Sequence, residues 1–284
     1  MVGVSEFLVL IKQTARTLCR PNTAAVRFPA YIPRPDKIPM RIAALSDIHG
    51  NLAALDAVLE DIQGQGVDLI VNLGDIASGP LQPSETVDRL MALNLPTIRG
   101  NHERQLLAGD PSRMGPSDQY AFATLRPDQL AWFGSLPELQ YIEDVLLVHG
   151  SAESDLTYFL ETLWENGHRA ATHDEVLARA VNADAKLVLC GHTHVPRAMR
   201  LIDGRFIVNP GSVGLQAYSD THPIAHSIEV GSPRARYAIA TRCGDDWAVE
   251  FRAVEYAWDE AAALAELRGR ADWAVALRTG RLRS

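Results

Sequence analysis

The chain has 284 residues, 47% hydrophobic and 22% charged, a balance that suits a globular domain with a sizeable core. Its 27 basic against 35 acidic residues give a net charge of -8, which disfavours non-specific coating of nucleic acid, because that binding needs a basic stripe. No apolar run reaches the roughly 18 residues of a membrane span, and Cys19, Cys190 and Cys243 lack metal-site spacing, so a reducing, cytoplasmic setting is expected.

Residues 1–39 differ from the rest. "EFLVLIKQTARTLCR" sets Phe7, Leu8, Ile11, Ala15 and Leu18 along one helical face, and five prolines between Pro21 and Pro39 suit an extended linker. Met40 opens the globular pattern and could itself be a start. The expected division is therefore an arm, or a non-native start, over 1–39 and one domain over 40–284.

From Arg41 onward, short apolar runs alternate with helix-like stretches. "RIAAL", "VDLIVNL", "LPTIR", "DVLLVHG" and "KLVLCGH" read as buried strands, with Cys190 as a buried thiol in the last. Helices are expected over 51–64, 84–93, 118–134, 155–165 and 173–182, which makes an α/β layered domain. "RAMRLIDGRFIVNPG" reads as a hairpin around Asp203-Gly204, and "ARYAIATRCGDDWAVEFRAVEY" as another turning near Gly244. The tail from Trp258 to Leu282 reads as helical.

Each apolar run ends in residues of metal-ligand type. The first ends at Asp47 and His49, which share a strand face if extended; the second at Asp75; the third at Asn101 and His102 in "RGNHE". The fourth ends at His149, the fifth at His192 and His194 in "LCGHTHVP". One such residue is an ordinary turn, with Asn51 as a helix cap. Five strand ends holding five of the nine histidines point instead to a shared site, since ligands in open α/β sheets bind beyond the carboxyl ends of strands. Carboxylate, imidazole and amide without thiolate suit catalytic transition-metal ions, and seven ligands are enough for two.

The ordered set D-x-H, G-D, G-N-H-E, H-G and G-H-T-H, followed by "NPGSVG" at 209–214, resembles the calcineurin-like metallophosphoesterase superfamily. It is most similar to the compact bacterial branch of YfcE-type phosphodiesterases. The resemblance implies a four-layer α/β/β/α sandwich with a dimetal site at the carboxyl ends of the strands. Carried over motif by motif, it implies one ion on Asp47, His49, Asp75 and His194, and another on Asp75, Asn101, His149 and His192. Asp75 is then the bridge. The cofactors implied are two divalent transition-metal ions, Mn²⁺ first, with Fe, Ni²⁺ or Zn²⁺ as alternatives. A hydroxide shared by the ions would attack phosphorus while His102 protonates the leaving alkoxide; the alternative for His102 is an orienting role.

Asn209 and Ser212 read as residues behind the ligands, or as parts of a tight turn. Arg99, Arg104, Arg234 and Arg236 either grip a phosphate oxygen or face solvent, and His168, His173, His222 and His226 read as surface residues. Ser/Thr protein phosphatases of the superfamily carry an arginine after the bridging aspartate, where "GDIASGP" has Gly79. The expected function is therefore hydrolysis of phosphodiesters on small or nucleotide-like substrates. Dinucleoside polyphosphate hydrolysis and a catalytically silent scaffold are the alternatives; a scaffold needs no His102 beside seven ligands. Specificity is expected in cap loops 150–172 and 215–236. No membrane partner is expected, and homo-oligomerisation is left open.

Overall fold

The computed structural model describes residues 40–164 and 167–282. The expected arm helix, the linker prolines and Cys19 lie outside the described residues. In chain order the elements are β1 (Arg41–Leu45), α1 (Leu52–Gln63), β2 (Leu69–Asn72), α2 (Pro83–Leu93), α3 (Asn101–Ala108), α4 (Pro116–Thr124) and α5 (Pro127–Ser135). Then follow β3 (Leu139–Ile142), β4 (Val145–Val148), β5 (Glu161–Trp164), β6 (Gly167–Ala170), α6 (His173–Arg179), β7 (Leu187–Leu189), β8 (Arg197–Arg200) and β9 (Phe206–Asn209). The chain continues through β10 (Ala217–Asp220), β11 (His226–Glu229), β12 (Ala235–Cys243), β13 (Asp246–Val254), α7 (Trp258–Leu267) and α8 (Ala271–Thr279).

Two sheets carry the molecule, one ordered β13-β12-β1-β2 and the other β3-β4-β7-β9-β8. Both contain parallel pairs, β1 with β2 at one end of the first sheet and β4 with β7 with β9 in the middle of the second. Alternate residues of these strands enter different cores, which is why they read as unbroken apolar runs. Ile42 and Ala44 of β1 meet Val145, Leu147, Leu187 and Leu189 of the other sheet in a core between the sheets. Ala43 and Leu45 face the other way, onto Leu55, Val58 and Leu59 of α1. Leu146 and Val148 of β4, with Val188, pack against Val176 of α6. Helix, sheet, sheet and helix are thus the four layers expected. The hairpins turning at Gly204 and Gly244 are present, and Cys190 is buried. No helix among the described residues is long and apolar enough to cross a membrane.

Three expectations need correction. The helix over 118–134 is two helices, because Pro127 starts a new one and disfavours helical backbone at Arg126 before it. The helix over 155–165 does not form: Glu161–Trp164 is a strand paired with Gly167–Ala170. Its buried Glu161 meets Arg197 at 2.7 Å, and Arg179 binds the carbonyls of Tyr158, Phe159 and Glu161, so distant partners override the local pattern. "LPTIR" contributes only a single bridge between Thr97 and Asn72. The cap loops hold two hairpins, β5-β6 and β10-β11, joined where His168 Nδ1 donates to the Ser227 carbonyl at 3.0 Å.

Candidate metal centre

The loops that leave β1, β2, β4 and β7, with the start of α3, meet at one end of the sandwich. They are spliced by main-chain hydrogen bonds: Asp47 N–H to Gly74 O at 3.1 Å, His49 N–H to Asp75 O at 3.0 Å, and Gly191 N–H to His149 O at 2.7 Å. Among the described residues, seven non-glycine positions have positive φ, and five are Asp47, His49, Asp75, His192 and His194, at 53° to 69°. Left-handed backbone costs an L-residue about 1–2 kcal/mol. Glycine would remove that cost, so what holds these positions is side-chain chemistry, with the splicing bonds sustaining the strain.

Asp47, His49 and His194 bring their ligand atoms within 4.8 Å of one another, all buried. His49 Nδ1 lies 2.8 Å from the Ser78 carbonyl oxygen, and His194 Nδ1 lies 2.7 Å from that of Leu215. A carbonyl oxygen only accepts, so each Nδ1 carries the hydrogen and each neutral ring presents a lone pair at Nε2. The two Nε2 atoms face each other at 3.1 Å, and Asp47 Oδ1 is 3.5 Å from that of His194. Burial keeps both rings neutral, pushing His49 down to about 4 and His194 well below the usual imidazole range. Burial also lifts Asp47 to about 7. Converging lone pairs repel unless a cation sits among them, so these side chains fit a metal ion.

Asp75, His149 and His192 form the second group. His149 donates from Nδ1 to Leu73 O at 2.8 Å, and its Nε2 is 3.1 Å from both Asp75 Oδ2 and Asn101 Oδ1. Burial opposes a charge on His149, yet Asp75 outweighs it and raises the ring to about 9. A proton there occupies the place a cation would take. His192 is half-buried and pushed down to about 3 by burial and by His149. The six residues of the two groups and Asn101 are the seven expected ligands, brought together at one end of the molecule.

His102, the expected acid, stands beside the second group. Its Nε2 is 3.9 Å from Asp75 Oδ2, its main-chain N–H donates to Asp75 Oδ1 at 3.1 Å, and 26% of its side chain is exposed. Its Nδ1 is 2.8 Å from Asp118 Oδ1, on α4. Burial works against the imidazolium, but Asp75 and Asp118 overcome it and hold the ring at about 10. Asp118 carries no signal in the sequence beyond an acidic residue in a helix's first turn. Glu103 is also more than a motif letter: its buried carboxylate accepts from Asp75 N–H (2.8 Å), Gly100 N–H (2.9 Å) and Ile76 N–H (2.8 Å). It clamps the loop that strains Asp75.

The "NPGSVG" stretch works from behind the ligands. Ser212 Oγ donates to Asp47 O at 2.7 Å, and Asn209 Nδ2 donates to Gly191 O at 2.7 Å. Three of the four arginines considered are paired: Arg99 with Glu138, Arg104 with both oxygens of Asp155, and Arg234 with Glu255. Arg236 is half-buried, and its Nε meets no hydrogen-bond partner among the described residues. Among the histidines expected at the surface, His222 is exposed and His168 and His173 are half-buried. His226 is a correction: only 4% exposed, it is bonded at Nε2 to Tyr158 Oη at 2.7 Å, because β11 folds back against the cap.

Comparison with known proteins agrees with this geometry. A solved metallophosphoesterase from Sphaerobacter thermophilus is 28% identical, with a TM-score of 0.65 over 85% of this chain and 99% of that one. A hypothetical protein of Pyrococcus horikoshii, 19% identical, shares the fold at a TM-score of 0.65 over 86% of this chain and 100% of its own. An uncharacterized protein of Methanocaldococcus jannaschii is 26% identical over 230 residues, covering 76% of this chain and 87% of its own length. The calcineurin-like phosphoesterase superfamily domain matches residues 40–231. With two candidate metal-binding groups at the strand ends of the matched segment, the chain belongs to the calcineurin-like phosphoesterase superfamily.

Proposed function

We propose that this chain is a dimetal-dependent phosphodiesterase acting on small or nucleotide-like diesters. One ion would be held by Asp47, His49 and His194, the other by Asn101, His149 and His192, with Asp75 available to both. The observation that carries this reading is the paired lone pairs of His49 and His194, each fixed outward by a carbonyl at its Nδ1. Ions bound there supply Lewis-acid chemistry, lowering the pKa of water and offsetting charge on phosphoryl oxygens. His102 holds the proton for the leaving oxygen at Nε2, and Asp118 fixes the ring by accepting from Nδ1.

Preference for diesters follows from Gly79. A Cβ there would run into the His49 carbonyl oxygen and lie 2.7 Å from Cη2 of Trp273, which is only 6% exposed. The space beside Gly79 is thus filled by an indole from α8. A monoester near neutral pH carries about two negative charges and generally calls for extra cations, whereas a diester carries one. Arg99, Arg104 and Arg234 already pair with carboxylates. We expect kcat/KM for an aryl diester to exceed that for the matching monoester about tenfold, equivalent to about 1.4 kcal/mol of transition-state binding. Side-by-side kinetics on both esters, with Mn²⁺ and then Ni²⁺, tests this; a monoester preference under both metals overturns it.

A further inference from the structure

Three of the four ligand imidazoles are locked by a hydrogen bond from Nδ1 to a main-chain carbonyl: His49 to Ser78, His149 to Leu73 and His194 to Leu215. His192 is different. Its ring nitrogens meet no hydrogen-bond partner among the described residues, and it lies between the rings of His149, 5.2 Å away, and Tyr158, 4.9 Å away. The Tyr158 contact is edge-on, with the two planes at 81°.

Tyr158 is itself held at several points. Its Oη is 2.6 Å from Tyr218 Oη and 2.7 Å from His226 Nε2, and its carbonyl accepts from Arg179 at 2.9 Å. The direction of these bonds can be read off. His226 Nδ1 is 2.8 Å from the Ile224 carbonyl oxygen, so Nδ1 carries the hydrogen and Nε2 accepts. Tyr158 then donates to His226, and Tyr218 donates to Tyr158. Tyr218 closes the arrangement: its ring packs on His194 at 4.6 Å, and its hydroxyl lies 3.3 Å from the His192 carbonyl oxygen. Tyr158 precedes β5, Tyr218 lies on β10 and His226 opens β11, so both cap hairpins converge on the two imidazoles of one loop.

We propose that Tyr158 is the positioning residue for His192, setting the plane of its imidazole through ring contact in place of a carbonyl bond. Tyr218 and His226 hold Tyr158 through the hydroxyl chain. The cap hairpins are thereby part of the metal centre's framework as well as its cover. This inference rests on the two-ion reading above.

Binding of Mn²⁺ alone, followed by calorimetry and electron paramagnetic resonance on the full chain, tests it. The wild-type chain should take two ions and give the signal of a coupled pair. Partners that orient a ligand are worth 10–100-fold in metal affinity, so we expect Tyr158→Phe to weaken one ion roughly tenfold and Tyr158→Leu roughly 100-fold. The other ion should be little altered, and the signal should become that of a single Mn²⁺. General loss of packing would instead lower the melting temperature and weaken both ions alike. Should the leucine variant not fold, the phenylalanine variant still decides, since it keeps the ring and loses only the hydroxyl chain. Two ions in the wild type beside wild-type affinity for both in Tyr158→Phe overturn the inference alone. Fewer than two ions in the wild type overturn it together with the two-ion reading.

Discussion

Around Asp47, His49 and His194 every ligand side chain is buried, both imidazoles are tied to carbonyls, and the rings of Trp273 and Tyr218 stand beside them. Around Asp75, His149 and His192 the arrangement is more open: His192 is half-buried, no hydrogen bond among the described residues fixes its ring, and the partly exposed His102 adjoins. The first half is built to hold charge in a fixed place. The second adds the partly exposed His102 at the rim, where the proposed acid would meet a leaving group. Asp75 joins the halves: it belongs to the second group, yet its charge also acts on Asp47 and His49 in the first.

Removing that joint should have the largest effect. In Asp75→Asn a neutral amide replaces the carboxylate proposed to serve both ions, so both should weaken together and turnover should fall to background. His194→Ala should mainly weaken the ion of the closed half. Metal analysis of the purified variants checks this, and full occupancy by two ions in the Asp75 variant would show that the halves are independent.

Next in size is the proton. His102→Ala should keep both ions yet lose roughly 10²–10⁴-fold in rate on esters with alkyl leaving groups, the usual scale of general-acid catalysis. Aryl esters, whose leaving groups need less protonation, should lose less. Equal losses across a leaving-group series would reduce His102 to an orienting role.

The metal-ligand residue types of both halves were legible in the sequence. Strands β1, β2, β4 and β7 are buried on both faces, so their apolar runs stand out, and their ends carry D-x-H, G-D, H-G and G-H-T-H in order. The left-handed backbone at Asp47, His49, Asp75, His192 and His194 was not legible, because no glycine marks it. Asp118 was hidden for another reason. It lies 16 residues from His102, on a helix whose approach to α3 is set by packing rather than by local pattern. The cap was misread where Tyr158, Phe159 and Leu160 gave a helix-like apolar stretch. In the fold they anchor a hairpin, and Tyr158 and His226 meet only because two hairpins fold together.

Glu103 offers a smaller perturbation on the open side. In Glu103→Gln one carboxylate oxygen becomes an NH₂ group, which leaves at least one of the three N–H donors of Asp75, Ile76 and Gly100 without an acceptor. An unsatisfied buried donor costs about 1–3 kcal/mol. Urea unfolding should show that loss as a lower midpoint at unchanged slope, accompanied by weaker binding of both ions proposed to share Asp75. An unchanged midpoint would mean that the clamp contributes nothing to the strained loop.

The smallest expected effect comes from Asp118. Asp118→Asn keeps an oxygen that can accept from His102 Nδ1, so the orientation of the ring should survive while the charge is lost. Asp118 is one of the carboxylates that raise His102 against burial, with Asp75 and Glu103, so its loss must lower the His102 pKa. His102 acts as an acid only while protonated, and the alkaline limb of the rate profile should therefore move to lower pH. The acid limb should stay where it is. Each pKa unit is a difference of about 1.4 kcal/mol between the two protonation states, and a drop of a unit or so puts the loss near tenfold on the alkaline side. The measurement is kcat/KM against pH for an alkyl diester, wild type beside variant, at saturating Mn²⁺. An alkaline limb that stays in place would separate Asp118 from the proton, and leave the difference between the two halves of the site to Asp75 and His192.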